Sequence, residues 1–325
     1  KMNENVNEGI KEQTRRRLSE MKLPDDLERL SVEQCNYLCE GIRKILVDTV
    51  TQTGGHLSSN LGVVELTMAV HRTFHTPEDS VVWDVGHQSY VHKILTGRLG
   101  KLPTLRQKDG ISGFPKPEES MHDAFISGHS STSVSVACGI AQANKLRGRK
   151  GHAVAVIGDG AMTGGMFYEA MNNAGKENEL RLVVILNDNG MSISKNVGSV
   201  SKYLTKLRNT EKYLDTKRRV ESGLTRLPGV GYKMVKGMKS VKVKSAVLKT
   251  TIFEDMGFVY LGPVDGHNIS ELDEVLRMAK SFDCPVFVHV KTRKGKGYIP
   301  AERDPGGYHG ISRIDLATGN PEISV

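Results

Sequence analysis

Apolar residues recur along this chain with two different rhythms. Cys35, Leu38, Cys39, Ile42, Ile45 and Leu46 are spaced by three and four, which puts one apolar stripe on a helix. Ser31 followed by Gln34 three residues on predicts a capping box at its start, and Gly54-Gly55 predicts its end. Elsewhere the apolar residues form short runs at 81–83, 153–157, 182–186, 258–261 and 286–290. Such runs predict strands buried on both faces, and helices are predicted between them, among them 163–173 and 270–281. Strand and helix in alternation predict an α/β fold, a largely parallel sheet with helices on both faces. Ligands of such sheets sit beyond the carboxyl ends of the strands. A charged arm over residues 1–30 leads into one domain over 31–325, with no internal repeat and no low-complexity linker.

Composition narrows the function classes. The 325 residues are enough for one large α/β domain, and no apolar run approaches the ~18–20 residues of a membrane span. Residues 1–17 are polar and charged without the apolar centre of a secretory signal, so a cytoplasmic protein without a membrane partner is expected. Cys35, Cys39, Cys138 and Cys284 form no C-x-x-C pair and are expected to be buried, reduced thiols. The net charge of +8 is uneven, because 195–249 holds fifteen Lys/Arg against Glu211, Asp215 and Glu221. No aromatic ladder or DNA-binding motif accompanies that stretch, so no nucleic-acid partner is expected. It is expected to be a solvated, mobile surface insertion, or a basic lid over an anionic phosphorylated ligand.

The chemistry concentrates at two predicted strand ends. The run 153–157 enters Gly158-Asp159-Gly160-Ala161, and the run 182–186 enters Asn187-Asp188-Asn189-Gly190-Met191. Two parallel neighbours joined by a crossover helix place their carboxyl ends side by side. Asp159 and Asn189, 30 residues apart in sequence, are therefore expected to meet at one sheet edge. A carboxylate, a carboxamide oxygen and a backbone carbonyl form a hard oxygen set suited to Mg²⁺, with diphosphate oxygens and water completing an octahedron. Gly158 and Gly160 permit close backbone approach, and a helix starting near Ala161 aims its N–H groups at an anion.

These motifs are those of thiamine diphosphate enzymes of the transketolase-like class. At finer grain the chain resembles the 1-deoxy-D-xylulose-5-phosphate synthase family over nearly its whole length. The likeness is carried by T-G-G-H-L-S-S-N-L-G-V-V-E-L-T at 53–67, W-D-V-G-H-Q-S-Y at 83–90, H-K-I-L-T-G-R at 92–98 and S-G-H-S-S-T-S-V-S at 127–135. It continues in N-D-N-G-M-S-I-S at 187–194, G-P-V-D-G-H at 262–267 and K-G-K-G-Y-I-P-A-E at 294–302. The resemblance implies thiamine diphosphate and Mg²⁺ as cofactors. It implies that Asp159, the Asn189 side chain and the Met191 carbonyl hold the metal, and that His87, Gly128, His129, Ser130, Gly160, Ala161 and Tyr298 line the cofactor. Asn189 thus serves metal and cofactor together, and Lys294, just past the run 286–290, is a further diphosphate contact. His56 and His309 are implied on the substrate side, as acid/base or hydrogen-bonding imidazoles. His71, His75, His122, His152 and His289 have no motif around them and receive no role.

The reaction implied joins pyruvate and D-glyceraldehyde 3-phosphate into 1-deoxy-D-xylulose 5-phosphate with loss of carbon dioxide, a product feeding isoprenoid, thiamine and pyridoxal synthesis. The family's chain is about twice as long, with a second domain that grips the pyrimidine ring and carries the activating glutamate, and it forms homodimers. The chain is accordingly expected to be the N-terminal part of such an enzyme, inactive without the pyrimidine-binding domain. The N-terminal subunit of a split transketolase and a non-catalytic thiamine diphosphate-binding module are the alternatives.

Overall fold

The computed structural model describes residues 2–177, 179–191, 197–208 and 251–313. Of the basic insertion at 195–249, all but 197–208 lies outside the described residues, and with it the expectation of mobility or a lid. The helices are α1 (Met2–Glu20), α2 (Val32–Thr53), α3 (Leu57–Leu61), α4 (Val64–Thr73), α5 (Tyr90–Lys93), α6 (Ser133–Leu146), α7 (Gly165–Gly175) and α8 (Ser199–Arg208). They continue with α9 (Ile252–Asp255), α10 (Ile269–Lys280) and α11 (Ile299–Arg303). The strands are β1 (Ser80–Trp83), β2 (Ala153–Gly158), β3 (Leu182–Asp188), β4 (Val259–Asp265) and β5 (Val286–Lys291).

All five strands are parallel, in the order β1-β2-β3-β5-β4. Alternation along them feeds two cores. Val154, Val156, Val183, Ile185, Val286 and Val288 face Leu66 and Val70 of α4 and Leu272 and Leu276 of α10. Ala155, Ile157, Val184, Leu186 and Phe287 face Val134 and Cys138 of α6, Phe167 and Met171 of α7 and Leu204 of α8. Burial of both faces explains why the strands read as apolar runs rather than as alternating ones. No helix of the described residues is long and apolar enough to cross a membrane.

The predicted capping box is present, with Gln34 N donating to Ser31 Oγ and Ser31 N to Gln34 Oε1. The apolar stripe of α2 builds a third core outside the sheet with Leu57, Leu61, Tyr90 and Ile94. The charged N-terminal arm is a helix laid on α2: Leu18 is buried there, and Thr14 sits where a side chain at Gly41 would have to be. Cys35, Cys39 and Cys138 are buried free thiols, whereas Cys284 is only half-buried.

Between α2 and α4 lies a buried ion pair. Arg43 Nη2 donates to both Glu65 oxygens, and His267 Nδ1 bonds the same carboxylate at 3.0 Å. Burial alone would raise the Glu65 carboxyl, but the His267 hydrogen bond and the Arg43 charge hold it at about 2. A depressed carboxyl contributes stability that is complete above its unfolded value near 4.5 and is lost as pH falls through the folded one. The contribution is on the order of 3 kcal/mol. Glu65→Gln is expected to lower stability near neutral pH by about that amount and to narrow the gap to the parent between about pH 5 and pH 2, followed by denaturant melts. A constant gap across that range would mean that other carboxyls set the acid limit.

Candidate active site

The carboxyl ends of β2 and β3 meet as their sequence requires. Gly158 pairs with Asn187, so the next residues, Asp159 and Asp188, lie side by side. Asp159 is 2% exposed; its Oδ1 accepts from Gly160 N at 3.0 Å and its Oδ2 from Gly190 N at 2.6 Å. The Gly190 N–H also reaches Asp188 Oδ1 at 3.2 Å, from a left-handed backbone at φ +74° that suits glycine. Asn189 Oδ1 accepts from Met191 N at 3.1 Å, which tightens the turn.

Two buried carboxylates in contact cannot both ionise without compensation. Burial, followed by the Asp188 charge, pushes the Asp159 carboxyl up to about 7. Burial would raise Asp188 as well, but the His289 hydrogen bond and the charges of His289 and Arg208 outweigh it and hold Asp188 below the usual range. Of the two, Asp159 is the one left short of compensating charge. The described residues contain no group of three His, Cys, Asp or Glu placed to hold a metal by themselves. A cation here must draw on amide and carbonyl oxygens and on a ligand's own oxygens, the donor set that Mg²⁺ favours.

A second group of residues comes from the end of α2. Gly54 and Gly55 take φ +73° and +142°, and Gly55 makes a two-way bridge with Ile311, N to O at 2.8 Å in each direction. That bridge brings residues 304–311 across α3, with Ser58 N bonding Tyr308 O at 2.9 Å. His309 is thereby set against His56 and His87, the three ring centroids 5.2–5.4 Å apart. Ser59 Oγ fixes His309 Nδ1 at 3.2 Å. Fully buried Asn60 pins the other two turns: its Nδ2 donates to His56 O at 2.7 Å and His87 O at 2.8 Å, while its Oδ1 accepts from Tyr90 N at 2.9 Å. Burial, then the neighbouring imidazoles, lowers His56 to about 4 and His87 to about 3; burial and Lys294 lower His309. All three rings are neutral near pH 7.

The Asp159–Asn189–Met191 turn and the imidazoles face one cavity of about 390 Å³. Of the residues expected from sequence, His56, His87, Ser130, Asp159, Gly160, Ala161, Asn189, Met191, Lys294 and His309 line it. Gly128 and His129 are exposed on the loop just ahead of Ser130, and Tyr298 packs edge-on against Tyr308 (5.8 Å) in the outer core. The helix expected near Ala161 begins as a 3-10 turn, Ala161–Thr163, and becomes α-helical at Gly165. Two features fit an anionic ligand with a polar ring. Gly158 is on the wall and an added Cβ there would meet no atom of the described residues, so it would take ligand space, and the buried Nδ1 of His87 has no partner among the described residues.

Sequence reasoning missed several wall residues. Asp84 accepts from Ser131 N (2.9 Å) and Ser133 N (3.0 Å), tying β1 to the start of α6. Asn187 Nδ2 donates to Gln88 Oε1 at 3.0 Å, and Val85 is held at φ +60°. A β-branched residue in the left-handed region is strained, as ligand-facing turns often are. The only signal for these residues was their place inside W-D-V-G-H-Q and N-D-N-G-M.

The family model described as 1-deoxy-D-xylulose-5-phosphate synthase matches residues 18–292. The chain is 54% identical over 305 residues to 1-deoxy-D-xylulose-5-phosphate synthase of Natranaerobius thermophilus, covering 93% of this chain and 48% of that protein. It is 52% identical over 306 residues to the synthase of Pelotomaculum thermopropionicum, covering 94% and 48%. The chain thus spans about half the length of the curated relatives it matches. Among solved structures it is similar to transketolase from Campylobacter jejuni, with TM-score 0.60 at 20% identity over 86% of this chain and 41% of that one, a likeness of fold.

Asn60 offers a test of how the imidazole side is built. Asn60→Ala leaves the His56 and His87 carbonyls and the Tyr90 N–H buried without their partner, at a cost of at least about 2 kcal/mol. Denaturant unfolding should show that loss. Stability within about 0.5 kcal/mol of the parent would mean that the two histidine turns are held by something else.

Proposed function

The chain belongs to the 1-deoxy-D-xylulose-5-phosphate synthase family, and from that premise we propose that it binds the diphosphate end of thiamine diphosphate through Mg²⁺. We propose further that it serves the decarboxylative joining of pyruvate to D-glyceraldehyde 3-phosphate. The observation that carries this is the Asp159–Asn189–Met191 turn at one sheet edge, facing Lys294 and the imidazoles across one cavity. Asp159, the Asn189 side chain and the Met191 carbonyl would hold Mg²⁺. Lys294, 7% exposed and close enough to feel the Asp159 charge, would take a diphosphate oxygen with Ser130 and the Gly160–Ala161 backbone. Gly128, His129 and Tyr298 stand off the wall and are given no share in that grip. When bound, thiamine diphosphate supplies the electron sink that loss of carbon dioxide from a 2-keto acid requires.

His56, His87 and His309 then border the reacting end. Being neutral, each ring accepts a proton or donates an N–H without bringing a fixed charge beside the reacting carbon. An anionic substrate entering the cluster raises the proton affinity of the ring it touches, so the same imidazole can then act as an acid. Exposed Met121, Phe125 and Ile126 border the loop that carries Ser130 and support association with a second copy.

Three outcomes test this proposal. Calorimetry should show thiamine diphosphate binding that needs Mg²⁺ and is weakened about 100-fold or more by chelator or by Asp159→Ala; equal affinity in every condition would overturn the metal assignment. His56→Ala in the full-length enzyme should cut turnover by about 10²-fold and leave cofactor affinity nearly intact. Collapse of affinity instead would move His56 into the cofactor's own grip. Residues 1–325 alone should make no product, because both wall carboxylates, Asp84 and Asp159, are already committed to backbone N–H groups. Addition in trans of the sequence matching the relatives' remaining length should restore turnover. Turnover by the isolated chain would place the activating acid within it.

A further inference from the structure

Behind the Asp159–Asn189–Met191 turn a row of polar side chains crosses three strands inside an otherwise apolar core. Asp188, at the end of β3, has Oδ2 2.8 Å from His289 Nε2 on β5, and His289 Nδ1 is 2.8 Å from the Tyr260 hydroxyl on β4. The three are 1%, 0% and 2% exposed. By strand alternation they share the face that carries Leu186, Phe287 and Ile157, and Asp159 continues the row across β2. Tyr260 is itself held by aromatic packing: Phe253 stacks on Phe287 at 3.8 Å and on Tyr260 at 5.7 Å.

The hydrogen-bond logic fixes the row. An ionised Asp188 only accepts, so His289 Nε2 carries a proton directed at Oδ2, and Nδ1 on the other side of the ring shares a hydrogen bond with the Tyr260 hydroxyl. The other oxygen, Oδ1, accepts from Gly190 N and lies 3.2 Å from Arg208 Nη1 at the end of α8. The Asp188 backbone is tied as well, its carbonyl accepting from Thr292 N at 3.0 Å. Asp188 therefore cannot turn toward a cation in the cavity while His289 holds Oδ2. A histidine and a tyrosine in a core of Leu, Phe and Val have no packing advantage over apolar residues of similar size. What they add is direction. Gly190 N–H is shared between Asp159 and Asp188, so the orientation of one carboxylate sets the place of the other and of the turn to Asn189 and Met191.

Resting on the reading of Asp159 as a Mg²⁺ ligand, we propose that Tyr260 and His289 are positioning residues for the metal. They lock Asp188 so that Asp159, Asn189 and the Met191 carbonyl keep one geometry for Mg²⁺ whether or not ligand is present. His289 is not on the cavity wall; it acts through Asp188.

The test titrates Mg²⁺ into the full-length enzyme with excess thiamine diphosphate by calorimetry, with melting temperature as a control. A glutamine side chain can place an N–H where His289 Nε2 stands, whereas asparagine reaches only the position of Nδ1. His289→Asn is expected to raise the half-saturating Mg²⁺ concentration by about 10-fold or more, the usual size of such outer contacts. His289→Gln should stay within about 3-fold of the parent, and Tyr260→Phe, which removes only a hydroxyl, should show a rise of a few fold. Rescue by Gln but not Asn, at similar melting temperatures, is a pattern that loss of core packing would not give. His289→Asn binding Mg²⁺ like the parent, while Asp159→Ala does not bind, overturns the positioning role and leaves the metal site standing. If His289→Asn fails to fold, an unchanged Mg²⁺ requirement in Tyr260→Phe overturns it. Normal Mg²⁺ dependence in Asp159→Ala would overturn the metal site itself.

Discussion

The pairing of Gly158 with Asn187 puts two carboxylates, Asp159 and Asp188, together in a site almost closed to water, and the rest of the cavity is arranged around that crowding. A single buried carboxylate is costly, and a pair is worse unless charge is supplied. Supply is lopsided. Asp188 has His289 and Arg208, while Asp159 is met by backbone N–H groups. The asymmetry decides which of the two carboxylates is held ionised by its neighbours and which is left short of charge. The turn itself needs glycine at 190 for its left-handed backbone at φ +74°.

Across the cavity the electrostatics are of another kind. The imidazoles of His56, His87 and His309 are crowded and partly buried: burial disfavours charge on all three, His309 disfavours it on His56, both disfavour it on His87, and Lys294 disfavours it on His309. Lys294, between the two sides, is the buried cation of the wall, and burial draws its pKa down against the pull of Asp159. One end of the cavity thus suits a cation bridged to an anionic group. The other presents neutral hydrogen-bonding rings to whatever reacts. A diphosphate carrying a polar heterocycle matches that division along its length.

Much of this was legible in the sequence because it rests on short-range rules. Five apolar runs became five strands, since a parallel sheet buries both faces and leaves few polar interruptions to blur the run, His289 being one. The meeting of Asp159 with the Asn189 turn followed from two strand ends and one crossover. The contacts of Asn60, Asp84, Gln88 and His289 around the cavity were not legible, because each is made to a residue distant in sequence that no local period encodes. The N-terminal helix was equally hidden. Its buried side chains, such as Thr14 and Leu18, are too few and too mixed in polarity to form a stripe, and its charged face dominates the composition.

The motif H-K-I-L-T-G-R shows what such hidden contacts do. Its side chains never reach the cavity; they build a buried network behind it. His92 Nε2 bonds Asp123 at 2.8 Å, Arg98 grips both Asp123 oxygens, and Lys93 bonds Glu119 at 2.5 Å. Asp123 can only accept, so His92 carries its proton on Nε2 and must accept on Nδ1 from His71 Nε2, also at 2.8 Å. That leaves His71 Nδ1 as a bare lone pair, which is how it stands, buried and without a partner among the described residues. Burial keeps both rings neutral, so the chain of donors runs one way. Its far end is the segment through Glu119 and Asp123, which carries Phe114 to within 6.3 Å of the His56 ring and sets Pro115 where a side chain at Gly86 would stand. A polar network with one satisfactory pattern of protons fixes a loop more narrowly than apolar packing can. The residues that hold the wall in place are therefore as constrained as those that form it.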